Sequence, residues 1–209
     1  MKVLAIGAHA DDVELGCGGT LLRHRDAGDE IHILVITHSG YSSINKNFIR
    51  HKEMALFEGK KSADLLRANF ICLEKEPLIL VPNEKFVLEL NEIISRIKPD
   101  RVYVHRPSDN HSDHAAVGNV AIRAARKCDS VFLYRSNWYI MDNGIEDKYY
   151  VDISDYIEPK KELIAVFESE MKAVNYSWID FVTKQNSAAG AKIGVDFAET
   201  YQMVKMVWR

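Results

Sequence analysis

His9 and Asp12, three residues apart in "GAHADDVELGCGG", set an imidazole and a carboxylate where an apolar run, "MKVLAIG", gives way to a glycine-rich turn. Asp11 and Glu14 add two more acids to the same stretch. The start of a helix after a strand presents backbone N–H groups and suits an anion. A turn whose own side chains are acidic is arranged instead for a cation. A second cluster lies in "VHRPSDNHSDHAAVGN", with His105, Asp109, His111, Asp113 and His114. Imidazole and carboxylate donors in this mixture suit a divalent metal ion. A single histidine beside a carboxylate is more often a surface ion pair, and Asp113 alone reads as a helix cap. Two such clusters, each following a strand, outweigh those readings.

The elements around the clusters decide whether they can meet. "KVLAIGA" reads as a buried strand and "GGTLLRHRDAG" as a helix closed by Gly28. "EIHILVITHS" is a second strand, nearly continuous in apolar residues, as expected where both faces of a sheet are covered. Helical spacing over 45–66, a strand "NFICL", a helix "EKFVLELNEIISRI", a strand "RVYVH", a helix over 113–127 and a strand "SVFLY" continue the alternation. Beyond Trp138 the rhythm weakens to a strand "KYYVDIS", a helix "PKKELIAVFESEMKAV" and a strand or short helix "FAETYQMVKMV". The expected fold is α/β, a single doubly wound, mainly parallel sheet with a Rossmann-like N-terminal half, in one domain spanning 1–209. Ligands bind such sheets outside the carboxyl ends of the strands. Both clusters leave strands at that edge, so they can converge across about a hundred residues of sequence.

Dinucleotide binding is the competing reading of the first turn. Gly7 and the glycines at 16–19 do not give G-x-G-x-x-G, and a pyrophosphate there would meet three carboxylates. His24, His32 and His51 sit within periodic segments and read as surface or packing residues, while His38 ends the second strand. The chain has 209 residues, 47% hydrophobic and 27% charged, with a formal net charge of -3. Without a basic face there is no electrostatic footprint for nucleic acid. No stretch approaches the roughly 18 apolar residues of a membrane span, and the short first apolar run ends in acids and not in a secretory cleavage site. Cys17, Cys72 and Cys128 are odd in number and dispersed, which fits neither a disulfide framework nor a cysteine zinc site and points to a reducing cytoplasm.

Taken together, these motifs resemble the LmbE-like, or PIG-L, family of N-acetylglucosaminyl deacetylases. "AHADDVELGCGGT" is similar to the family's Ala-His-Pro-Asp-Asp-x-Glu-x-Gly-x-Gly-Gly pattern, and "HSDH" at 111–114 to its His-x-Asp-His. "RHKE" at 50–53 resembles its Arg-x-x-Glu, and "GVDFAETY" at 194–201 its Ala-Glu-x-aromatic stretch. The chain departs from the pattern at Ala10, where the family usually has proline, and at Glu170, where glutamate follows Ser169 in place of glutamine.

The resemblance implies that His9, Asp12 and His114 hold one Zn²⁺ per chain, with Fe²⁺ or Co²⁺ also compatible. Three nitrogen and oxygen ligands with an open position make a catalytic zinc site, in which water ionises near neutral pH. It implies that Asp11 is the general base, and that His111 stabilises the oxyanion or protonates the departing amine. Asp113 is expected to orient His111 and hold its charge. Arg50, placed on a helix, is expected to contact the polar groups of the substrate, and Glu14 to support the loop or cap the following helix. The implied reaction is hydrolysis of the N-acetyl amide of a small amino sugar or its conjugate. A related zinc hydrolase of a non-sugar amide and a non-catalytic nucleotide-binding module are the alternatives. Specificity is expected in the loops at 39–47 and 136–147. The sugar and the number of subunits, a homo-oligomer included, are left open.

Overall fold

A computed structural model describes residues 1–42, 48–137 and 148–207. The expected specificity segments 39–47 and 136–147 therefore lie in large part outside the described residues. β1 (Lys2–Gly7) is buried on both faces, which is why its sequence is an unbroken apolar run. Leu4 and Ile6 enter one core, Val3 and Ala5 the other, following the two-residue period of a strand. The chain then runs through α1 (Asp12–Asp26), β2 (Glu30–Thr37), the short pair β3 (Tyr41–Ser42) and β4 (Phe48–Arg50), α2 (Lys52–Leu65) and β5 (Asn69–Lys75). It returns through α3 (Glu84–Ile97) to β6 (Arg101–His105), then α4 (Ser112–Ala124) and β7 (Ser130–Tyr134). After β8 (Tyr149–Asp152) come α5 (Ile157–Ala165), α6 (Glu168–Ala173), α7 (Ser177–Ala191) and β9 (Ala198–Met206).

Seven strands form one mostly parallel sheet in the order β5-β2-β1-β6-β7-β9-β8, with β9 antiparallel to both its neighbours. β1 pairs in parallel with β2 on one side and β6 on the other. The chain thus winds outward from β1 in one direction and resumes beside it in the other. The carboxyl ends of β1 and β6 form the switch point at which such sheets bind ligands. Both sequence clusters leave the sheet there.

The first helix differs from expectation. It starts at Asp12, not at the later glycines, and kinks at Cys17, whose φ of -142° is not helical. Gly16 is required by close approach: a Cβ there would fall 2.1 Å from the Tyr134 ring. Beyond the kink the N–H groups of Gly19 and Thr20 are capped by the Glu199 carboxylate at 2.9 and 2.8 Å, and the buried Lys160 ammonium pairs with it at 2.7 Å. The helix expected over 159–174 is two, α5 and α6, and α2 is shorter than expected because β4 precedes it. No helix was expected over 177–191, where α7 lies. Its buried positions Val182, Asn186, Ala189 and Gly190 keep helical spacing, but an amide and two small residues hide the apolar stripe.

Candidate active site

The loop after β1 is held by its neighbours before any ligand is considered. The Thr37 N–H and hydroxyl both donate to the Ala8 carbonyl, and the Ala10 N–H donates to Ser39 Oγ at 2.9 Å. The His9 N–H donates to Asp12 Oδ2 at 2.7 Å, closing the turn that opens α1. Between them Asp11 has φ of 137°, a left-handed backbone that strains any residue with a Cβ. The strain aims a carboxylate into a cavity of about 370 Å³.

Three groups converge beside it. His9 Nδ1 lies 3.3 Å from Asp12 Oδ2, His114 Nε2 lies 3.1 Å from Asp12 Oδ1, and the two ring nitrogens are 3.3 Å apart. The opposite ring nitrogens face carboxylates: His9 Nε2 donates to Asp113 Oδ2 at 3.1 Å, and His114 Nδ1 faces Asp109 Oδ2 at 3.4 Å. A carboxylate behind each imidazole fixes which nitrogen points forward, as in histidine metal ligands. His111 reaches the same place, its ring 4.9 Å from that of His9 and 4.4 Å from that of His114. His9, His111 and His114 form one group able to hold an ion, and Asp12, His105 and His114 form another. His105 is fully buried behind the site, with Nε2 at 3.1 Å from Asp12 Oδ2 and no place in the cavity wall.

The electrostatics show a place prepared for positive charge. Burial disfavours protonation of His9, but hydrogen bonds to Asp113 and Asp12 outweigh it and raise its pKa to about 9. His114 is raised to about 10, the Asp12 charge and the Asp109 contact overcoming burial. Burial works against ionised Asp12, yet the charges of His114 and His105 hold its carboxyl well below the usual range. Burial lowers His105 to about 4. Asp11 goes the other way, pushed well up by burial against the opposing charge of Arg50.

The chain matches the family model described as PIG-L, GlcNAc-PI de-N-acetylase, over residues 4–125. The chain belongs to the PIG-L (LmbE-like) family. It is 32% identical over 143 residues to the uncharacterized deacetylase YaiS of Escherichia coli (strain K12), covering 65% of this chain and 75% of that protein. It is 28% identical over 187 residues to the diacetylchitobiose deacetylase of Thermococcus kodakarensis, covering 81% and 70%. The N,N'-diacetylchitobiose deacetylase of Pyrococcus horikoshii shares the fold with a TM-score of 0.84 at 24% identity, over 97% of this chain and 83% of that one.

In this PIG-L chain His9, Asp11, Asp12, Arg50, His111 and His114 all line the cavity, and Asp113 stands behind His9. Two expected contacts differ. The Asp113 carboxylate does not meet the His111 ring; it accepts from His9 and from the Leu78 N–H, and it is the Asp113 N–H that donates to His111 Nδ1, at 3.2 Å. Burial and the charges of His114 and His9 lower the His111 pKa, opposite to the expected increase. Arg50 lies on β4, not on a helix, and is 2% exposed. Its guanidinium binds Asp11 Oδ2 and Glu58 Oε2, both at 3.0 Å, and the Ala10 carbonyl at 3.1 Å. Glu14 reaches Ser62 on α2 at 2.5 Å, tying the first two helices together. His38 pairs with Glu76 away from the cavity wall.

The expected specificity segments 39–47 and 136–147 reach the cavity wall through Ser39, Tyr41, Ser136 and Asn137. Glu170 stands out in the sequence only as a departure from the family pattern, and sequence reasoning missed Trp178. Ser136 Oγ donates to Asp12 Oδ1 at 3.0 Å, and Asn137 Nδ2 donates to Asp109 Oδ1 at 2.8 Å. Both follow β7 at the same sheet edge, at the start of the segment in which specificity is expected.

Proposed function

We propose that the protein is a metal-dependent deacetylase that hydrolyses the N-acetyl amide of a small amino sugar or its conjugate. The observation that carries this reading is the convergence of His9 Nδ1, the Asp12 carboxylate and His114 Nε2 beside Asp11. Their separations of 3.1 to 3.3 Å and the carboxylates behind both imidazoles fit a divalent ion. Zn²⁺ suits this donor set, and Fe²⁺ or Co²⁺ can take its place. When bound, the ion polarises the amide carbonyl and makes water a better nucleophile at neutral pH.

The chain's own residues divide the remaining work. Asp11 takes the proton of the attacking water as the C–O bond forms, and Arg50 and the strained turn keep its carboxylate aimed inward. As the C–N bond breaks, the amine needs a proton, and Asp11 carries one. His111 Nδ1 is committed as an acceptor to the Asp113 N–H at the start of α4, so its Nε2–H is the free donor and stabilises the developing oxyanion. Asp113 acts through His9, holding the ring so that Nδ1 faces forward. The test is acetate release by metal-loaded protein from N-acetylated monosaccharides, disaccharides and simple N-acetyl amides. Release from the sugars is expected. Release from simple amides alone would move the substrate class to non-sugar amides, and release from none would overturn the reading.

A further inference from the structure

Glu170 is the charged wall residue that the chemistry above does not use. It enters from α6 and is 8% exposed; Tyr41 donates its hydroxyl to Oε2 at 3.1 Å, and Oε1 lies 3.4 Å from Arg50 Nη1. Among the described residues lining the cavity, Arg50 is the one lysine or arginine. Its charge is already shared by Asp11, Glu58 and Glu170, and its Nη1 is further engaged by the Ala10 carbonyl. Glu58 is fixed in turn by the Ser169 N–H and hydroxyl at 2.8 and 2.6 Å. Among the described residues lining the cavity, no guanidinium is left with its charge unshared for a phosphate or carboxylate to bind.

The charge count points the same way. Asp11, Asp12 and Glu170 face the cavity, with Glu58, Asp109 and Asp113 directly behind them. Even with Asp11 protonated, a bound dication together with Arg50 leaves the other five carboxylates in excess. A narrow cleft lined by one sign of charge focuses its field on whatever enters. An ionised carboxylate offers only acceptors, so Glu170 can receive a hydroxyl or ammonium from a ligand but repels an oxyanion.

We propose that the cavity accepts uncharged or cationic N-acetylated sugars and rejects anionic ones, sugar phosphates and sugar acids included, with Glu170 setting the discrimination. The inference rests on the amino-sugar reading above. Two like charges about 7 Å apart at an effective dielectric near 20 change an affinity by more than tenfold.

The experiment is calorimetric binding of four probes to metal-loaded protein: N-acetylglucosamine, its 1-phosphate, its 6-phosphate and its 6-amino-6-deoxy analogue. Both phosphates should bind at least about tenfold more weakly than the parent sugar, and the amino analogue at least as tightly. Glu170→Gln should narrow the gap between parent and phosphates by about fivefold. Equal or tighter binding of both phosphates by the wild type overturns the proposal whether or not the variant folds. So does an unchanged gap in a folded Glu170→Gln, or failure of all four probes to bind. Acetate release is followed separately, so that binding in the expected order without any release would remove the deacetylase reading and leave the charge selection supported.

Discussion

Glu199 and Asp12 are both buried carboxylates that meet α1, and their surroundings have little else in common. Glu199 accepts from the Gly19 and Thr20 N–H groups, from the Thr20 and Tyr201 hydroxyls and from the Lys160 ammonium. Its charge is paired, its lone pairs are used, and it does not line the cavity that Asp12 faces. Around Asp12 the balance is reversed: carboxylates outnumber cations, and two imidazoles carry raised pKa values in compensation. Burial of charge is therefore a poor guide to function. A closed account of donors and acceptors marks a structural brace, while acceptors left in excess beside a cavity mark a place for a ligand.

The comparison breaks most sharply at the converging histidines. His9→Ala and His114→Ala should each reduce retained metal from about one ion per chain to background, with activity falling alongside, as read by elemental analysis after dialysis. Full metal retention in both would reduce this cluster to a second brace. Asp11→Asn should keep the metal and lower kcat by about 10²–10⁴-fold, because it removes a base and no ligand. Loss of metal from this variant, with retention in Asp12→Ala, would exchange the roles of the two aspartates. Lys160→Met tests the other side, since it strands the buried Glu199 charge. A loss of about 3–5 kcal/mol in urea unfolding is expected, with metal per folded chain unchanged.

Asp113→Asn is a smaller change and the one most informative about wiring. With its carboxylate on His9, the variant should weaken metal affinity about 10–100-fold. An unaltered affinity with an altered pH profile would restore the alternative in which Asp113 serves His111. The last effect is a pH dependence of the metal-free protein. His9 and His114 have folded pKa values of about 9 and 10, above the unfolded value of 6.5. Stability from their protonated forms is fully present below pH 6.5 and is lost as pH rises through 9 and 10. The melting temperature after chelation should fall across that window, and the metal-loaded protein, whose histidines carry no such protons, should lack this component of the fall.

Much of this contrast was legible in the sequence where local pattern and burial agree. β1, β2, β6 and β7 announced themselves because strands covered on both faces become unbroken apolar runs. α3 was readable to its ends because Asn83 caps it and its apolar stripe is strong. α7 was not, since its inward face is built partly from Asn186 and Gly190. The convergence of His9, Asp12, His111 and His114 was readable because they follow strand ends that the topology must bring together. Asp113 misled, because His111 is two residues away in sequence while its true partner, His9, lies across the switch point. Glu170 showed in the sequence only as a departure from the family pattern; its place beside Arg50 did not, because α6 is short and only tertiary packing carries it there.

The backbone at Asp11 has a consequence for how this protein can change. A left-handed conformation at a residue with a side chain costs on the order of 1–3 kcal/mol, and glycine adopts it freely. The substitution that relieves the strain therefore also deletes the proposed base. Asp11→Gly trades that strain against an ion pair with Arg50 that Glu58 and Glu170 still share, so selection for heat resistance alone does not protect this position. Thermal hardening of this fold has to hold position 11 fixed and seek its gains elsewhere.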